Sequence, residues 1–127
     1  MVKIDIQMAT LITEANAGRV TSYLRKSNEV GFCTITKEDT PCITLYMDPE
    51  YKEYTTSLIA AACSLLRTYF NSSQKIYVDA DASEGLWDKM GFQPNPLYDY
   101  TSEQRSMEGA GYEKYITFSE LCSEVLI

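Results

Sequence analysis

Apolar and polar positions along this 127-residue chain fall into short blocks whose period switches between two and about 3.6. Val2 to Ile6 alternates as Val-Lys-Ile-Asp-Ile and predicts a half-buried strand. Residues 8–17, MATLITEANA, place Met8, Leu11, Ile12 and Ala15 on one side of a short helix that Gly18 can cap. Residues 20–25 carry β-branched and aromatic side chains, with continuation of the preceding helix as the competing expectation. Residues 30–36, VGFCTIT, predict a further strand, and KEDTP closes a hairpin behind it. Residues 20–48 thus predict three successive antiparallel strands.

The longest patterned stretch runs from Cys42 to Phe70. It opens on CITLYM, an apolar run typical of a buried strand, and Pro49 ends regular pairing because proline lacks a ladder N–H. Leu58, Ala61, Ala62, Leu65, Leu66 and Phe70 then recur at helical spacing, which predicts a helix over residues 54–70. Thr55, Thr56 and Ser57 are natural caps for its start. Free N–H groups at such a strand–turn–helix junction, with the helix dipole, suit an anion such as phosphate.

Beyond the helix, Asn71-Ser72-Ser73 breaks the pattern and KIYVDAD (75–81) predicts a strand. Glu84 to Met90 predicts a short helix stopped by Gly91, and Pro94 and Pro96 confine the next segment to an edge or irregular strand. Residues 99–111 are polar and turn-rich, and Tyr112 to Phe118 predicts a strand. Residues 119–127 predict a terminal helix behind a Thr117–Glu120 capping pair. No internal repeat or low-complexity tract interrupts this order, which implies one α+β or mixed α/β domain over residues 1–127.

Composition narrows the chemistry. The net charge of −7 argues against nucleic acid and anionic membrane as partners, and no apolar run reaches a membrane span or forms a signal peptide. Cys33, Cys42, Cys63 and Cys122 form no Cys-x-x-Cys pair, so reduced thiols and a cytoplasmic location are expected, with zinc or disulfides as lesser alternatives. The chain has no histidine, which excludes Ser-His-Asp and Cys-His catalysis and histidine metal sites. No GxxxxGK[ST] or GxGxxG motif occurs. Proton transfer would fall to carboxylates, tyrosine, lysine, cysteine or water.

From Gly31 to Phe92 the chain resembles the GNAT superfamily of acyl-CoA-dependent N-acyltransferases. The stretches that carry the likeness are VGFCTIT, then CITLYMDPEYKEYTTSLIAAA, KIYVDAD and GLWDKMGF, in the family's order and spacing. The resemblance implies a central, mostly antiparallel sheet flanked by helices and a central strand that splays from its neighbour to bind pantetheine. It implies acetyl-CoA or CoA as cosubstrate, with no metal. Leu45, Tyr46 and Met47 would supply the backbone groups, and the N–H groups of Lys52, Glu53, Tyr54, Thr55, Thr56 and Ser57 the pyrophosphate site, with Lys52 adding charge.

Trp87 falls where the family commonly has the phenol that reprotonates the departing thiolate, and Thr55 and Ser57 fall where it has loop glycines. Reprotonation of the thiolate would then fall to a tyrosine elsewhere, Tyr46 first, to Cys42 or to water, and Glu50 and Asp48 are the nearest carboxylates for deprotonating an amine. The implied partner is a small-molecule or protein amine, cationic in keeping with the acidic surface, and a homodimer is left open. The likeness leads to two functions: an N-acyltransferase, or a degenerate GNAT-like binding or regulatory module.

Overall fold

The computed structural model describes residues 2–6, 9–78, 85–98 and 111–125. It is a mixed α+β arrangement of two antiparallel sheets and a few helices. The first sheet is a meander of five strands in chain order: β1 (Val2–Ile6), β2 (Ala9–Ala15), β3 (Arg19–Arg25), β4 (Glu29–Thr36) and β5 (Ile43–Met47). A 3₁₀ turn, Pro49–Tyr54, leads directly into α1 (Thr55–Ser64). The second sheet has the order β6–β8–β7, built from β6 (Lys75–Val78), β7 (Gln93–Pro94) and β8 (Lys114–Thr117). Between β6 and β7 lies α2 (Leu86–Lys89), and α3 (Phe118–Glu124) comes after β8.

Residues 9–15 correct the expected N-terminal helix. Met8 lies outside the described residues; Leu11, Ile12 and Ala15 would share one side of a helix, but in the strand Ile12 lies on the face opposite Leu11 and Ala15. Extended backbone wins because β2 pairs on both edges, Ile4 with Leu11 on one side and Leu11 with Leu24 on the other. Asn16 completes the hairpin: its side-chain oxygen accepts the N–H groups of Gly18 (2.8 Å) and Arg19 (3.0 Å).

The expected helix over 54–70 also ends early. α-Helical bonding stops at Ser64, whose hydroxyl turns back to the Ala61 carbonyl at 2.8 Å, and residues 65–69 continue as tighter turns. The apolar row survives the change, since Leu58, Ala62, Leu66 and Phe70 are all buried. Nor do Thr55, Thr56 and Ser57 cap this helix. Tyr54 holds the cap position without a side-chain bond, while Asp48 caps the 3₁₀ turn by accepting the Glu50 N–H at 3.1 Å.

The later elements keep closer to the sequence pattern. Thr117 accepts the Glu120 N–H and begins α3 as expected, and Pro94 sits on edge strand β7. Gly91, at φ 92°, ends α2 in a Schellman motif: Phe92 N–H reaches the Trp87 carbonyl and Gly91 N–H the Asp88 carbonyl. Of the predicted segments, 79–81, Glu84, 99–110 and 126–127 lie outside the described residues.

One face of the sheets is the core. Val20, Leu24, Cys33, Ile35 and Ile43 from the first sheet join Ile76, Val78 and Ile116 from the second in one buried cluster with α1, α2 and α3. The opposite face is half-buried or exposed at Thr21, Tyr23, Phe32, Thr34, Thr44 and Tyr46. A polar tie crosses the core side: the buried Ser22 hydroxyl donates to the Leu58 carbonyl of α1 at 2.5 Å. Ser22→Ala removes that donor without enlarging the side chain and should cost about 1 kcal/mol in chemical denaturation. Ser22→Val, which adds bulk between sheet and helix, should cost more.

Candidate functional site

Among the described residues the two sheets meet at a single parallel bridge, Cys42 with Tyr77, where the Tyr77 N–H donates to the Pro41 carbonyl at 2.9 Å. Among the described residues β5 and β6 make no further strand pairing. A cleft of about 660 Å³ lies there, against the start of α1. Its walls come from both strands and from α2: Leu45 and Met47 of β5, Val78 of β6, and Leu86 and Trp87 of the short helix.

The backbone of β5 is oriented by its other edge. Thr36 N–H donates to the Cys42 carbonyl, and Asp48 N–H to the Val30 carbonyl, so even-numbered residues of β5 turn their peptide groups to β4. Peptide groups alternate sides along an antiparallel strand. Those of Ile43, Leu45 and Met47 therefore face away from β4, on the side where Pro41 meets Tyr77. Gly31 lets the strands approach at this end, because a Cβ there would lie 2.5 Å from the Met47 sulfur. Past the bridge, Leu45 and Met47 offer the amide pattern that an extended ligand could pair with.

The sequence-derived cofactor set divides accordingly. Leu45, Met47, Lys52, Thr55, Thr56 and Trp87 line the cleft. Tyr46, Glu53, Tyr54 and Ser57 are not among its lining residues. Strand alternation explains Tyr46: it stands on the open face, 54% exposed, with its ring 6.2 Å from that of Phe32. The phenol therefore faces away from the cleft lining. Asp48 is engaged in capping the 3₁₀ turn, Glu50 is exposed on that turn, and neither carboxylate lines the cleft.

Trp87 is part of the core as well as the wall. It is 4% exposed and packs against Phe92, with ring centroids 5.0 Å apart, as the hydrophobic contact of the Schellman motif. Cys42, Val78, Leu86 and Lys89 line the cleft too and are not among the cofactor contacts expected from the sequence. Lys89 stands two residues beyond Trp87 in LWDKMGF, so its spacing is the available signal.

The thiols differ sharply in setting. Burial holds the Cys33 and Cys63 thiols far above the ordinary thiol range, and it raises Cys122 as well. No disulfide joins any of the four cysteines, and Cys42 lies half-buried on the cleft. The phenol of Tyr54 is likewise raised, by desolvation and then by the neighbouring Glu53 charge. Among the described residues no cluster of His, Cys, Asp or Glu could hold a metal ion, and no helix is long and apolar enough to cross a membrane.

Comparison with protein-family models, curated proteins and solved structures finds no match for this chain.

Alkylation of the native protein should separate the thiols. Cys42 should react before Cys33 and Cys63, which should be modified only after unfolding, as peptide mass mapping would show. Early modification of Cys33 would contradict the packing described.

Proposed function

We propose that the cleft binds an acyl-CoA and that the chain is a divergent acyl-CoA-dependent N-acyltransferase of the GNAT type, acting on a small-molecule or protein amine. The observation that carries this is that, among the described residues, β5 pairs with β6 only at Cys42–Tyr77, with the Leu45 and Met47 peptide groups turned away from β4. The resemblance calls for a splayed central strand at this place. The succession of β4, β5, 3₁₀ turn, α1, β6 and α2 ending at Gly91-Phe92 also supports it. On this reading pantetheine lies along β5 as an added strand, and the thioester carbonyl accepts from a β5 amide.

The chemistry of transfer is simple in outline. A neutral amine attacks the thioester carbonyl carbon, the tetrahedral intermediate expels the CoA thiolate, and the proton lost by nitrogen reaches sulfur through water. The described lining residues include no carboxylate or tyrosine, so what they bring to transfer is positioning and backbone polarisation of the carbonyl, with the Cys42 thiol as a proton-carrying group on the wall. Loss of a placed acid or base typically costs ~100- to 10,000-fold. Slow turnover is expected.

The same lining favours a second function, a GNAT-like module that binds acyl-CoA without turning it over. Both predict binding and differ in transfer. Calorimetry with acetyl-CoA and CoA tests the shared claim, and acetyl transfer to a panel of polyamines, aminoglycosides and lysine peptides separates the two.

Thr56 lines the cleft and Ser57 does not. Thr56→Asp should weaken acetyl-CoA binding about tenfold or more by adding a negative charge beside the phosphates, whereas Ser57→Asp should have a smaller effect. Equal effects of the two substitutions would place the ligand elsewhere.

A further inference from the structure

The face of the first sheet turned away from the core carries a pattern of its own. Register aligns one residue from each of four neighbouring strands into a straight row, Ile12–Tyr23–Phe32–Tyr46. Alternation puts all four on the side opposite the core cluster, which contains none of them. Ile12 is buried at the head of the row, Tyr23 and Phe32 are half-buried, and Tyr46 is exposed. The Phe32 and Tyr46 rings lie beside each other, 6.2 Å between centroids. Solvent-facing aromatics gathered in one place are the composition of a protein–protein surface.

The two flanks of the row differ in charge. One flank is Glu14–Thr21–Thr34–Thr44, with the Thr21 and Thr34 hydroxyl oxygens 3.2 Å apart. On the other flank Thr10 pairs with Arg25. Glu14 and Arg25 are both exposed, and each touches the tyrosine that stands between them. The Tyr23 hydroxyl donates to Glu14 at 3.4 Å, and the Arg25 guanidinium lies 5.2 Å from the centre of the Tyr23 ring. An acid and a base are thus held on opposite sides of one ring.

That arrangement is self-complementary. A twofold axis along the row would lay each aromatic over its counterpart in a second copy and exchange the flanks, with the strands of the two sheets aligned. Glu14 of one copy then meets the flank that bears Arg25 of the other, one strand spacing of about 4.8 Å away, and the contact occurs twice. Glu29, which pairs with Arg25 from β4, stands a further strand off. A twofold along the strands would set each flank on its own kind and join no acid to a base. Four strands at this spacing make a small interface, so the association is reversible, with a dissociation constant of about 10 to 1,000 μM.

We propose that this face is a homodimer surface, on which two copies of the chain pack Tyr23, Phe32 and Tyr46 together and set Glu14 of each copy against Arg25 of the other. It gives a place to Tyr46, which stands outside the cleft lining. The dimer does not depend on the acyl-CoA function proposed above.

The test is sedimentation equilibrium of the full chain from about 10 to about 2,000 μM. The parent should pass from monomer towards dimer across that range. Tyr46→Thr should weaken dimerisation about tenfold or more. Glu14→Arg and Arg25→Glu each make the two flanks alike in charge, and each should weaken it about tenfold. The double exchange, Glu14→Arg with Arg25→Glu, restores opposite flanks and should recover the parent's association. All three positions are exposed, so the unfolding midpoints of the variants should stay close to the parent's. A parent that remains monomeric at the top of the range overturns the proposal. So does a dimer that Tyr46→Thr leaves intact, or one that the double exchange fails to recover.

Discussion

Among the described residues, two antiparallel sheets join through one parallel bridge between Cys42 and Tyr77, and β5 pairs no further with β6. A continuous sheet would bury the odd-numbered peptide groups of β5 in a ladder. Among the described residues, none pairs with the Leu45 and Met47 peptide groups, which turn away from β4 beside the apolar wall of Val78 and Leu86. An unused edge of this kind is normally a liability, open to pairing with other chains. Here it faces the cleft between β5, the start of α1 and α2.

The core secures that geometry from one side. Described helices and inward strand residues form a single buried cluster, with Ser22 reaching from β3 to α1. Trp87 links the same core to the cleft, because the contact that ends α2 on Phe92 also places the indole in the wall. Substitution of Trp87 would thus alter packing and site together. The indole N–H cannot serve as a general acid near neutral pH, so its place in the wall is one of shape.

Much of this is legible in the sequence, and the failures have physical causes. CITLYM and the apolar row after it are readable because period and turn chemistry agree, and Gly91 and Thr117 mark the ends of elements through backbone rules that hold locally. β2 reads as helix because Leu11, Ile12 and Ala15 group on one side only at helical spacing, and pairing with strands on both edges overrides that local pattern. Leu45 and Met47 come out of the sequence together with Tyr46, although alternation along a strand separates them by face; applied to the apolar run, that rule removes Tyr46 from the site. Lys89 is harder, since the second wall of the cleft is brought to β5 by the Cys42–Tyr77 contact, which no local pattern encodes.

The central claim, that the separated edge of β5 is a ligand edge, is tested most directly by amide hydrogen exchange resolved by residue, with and without saturating acetyl-CoA. The amides of Leu45 and Met47 face away from β4 and should exchange readily in the free protein, then gain protection on binding. Those of Thr44 and Tyr46 already face β4 and should change little. Protection spread evenly over β5, or none at Leu45 and Met47 in protein shown to be saturated with acetyl-CoA, would contradict it.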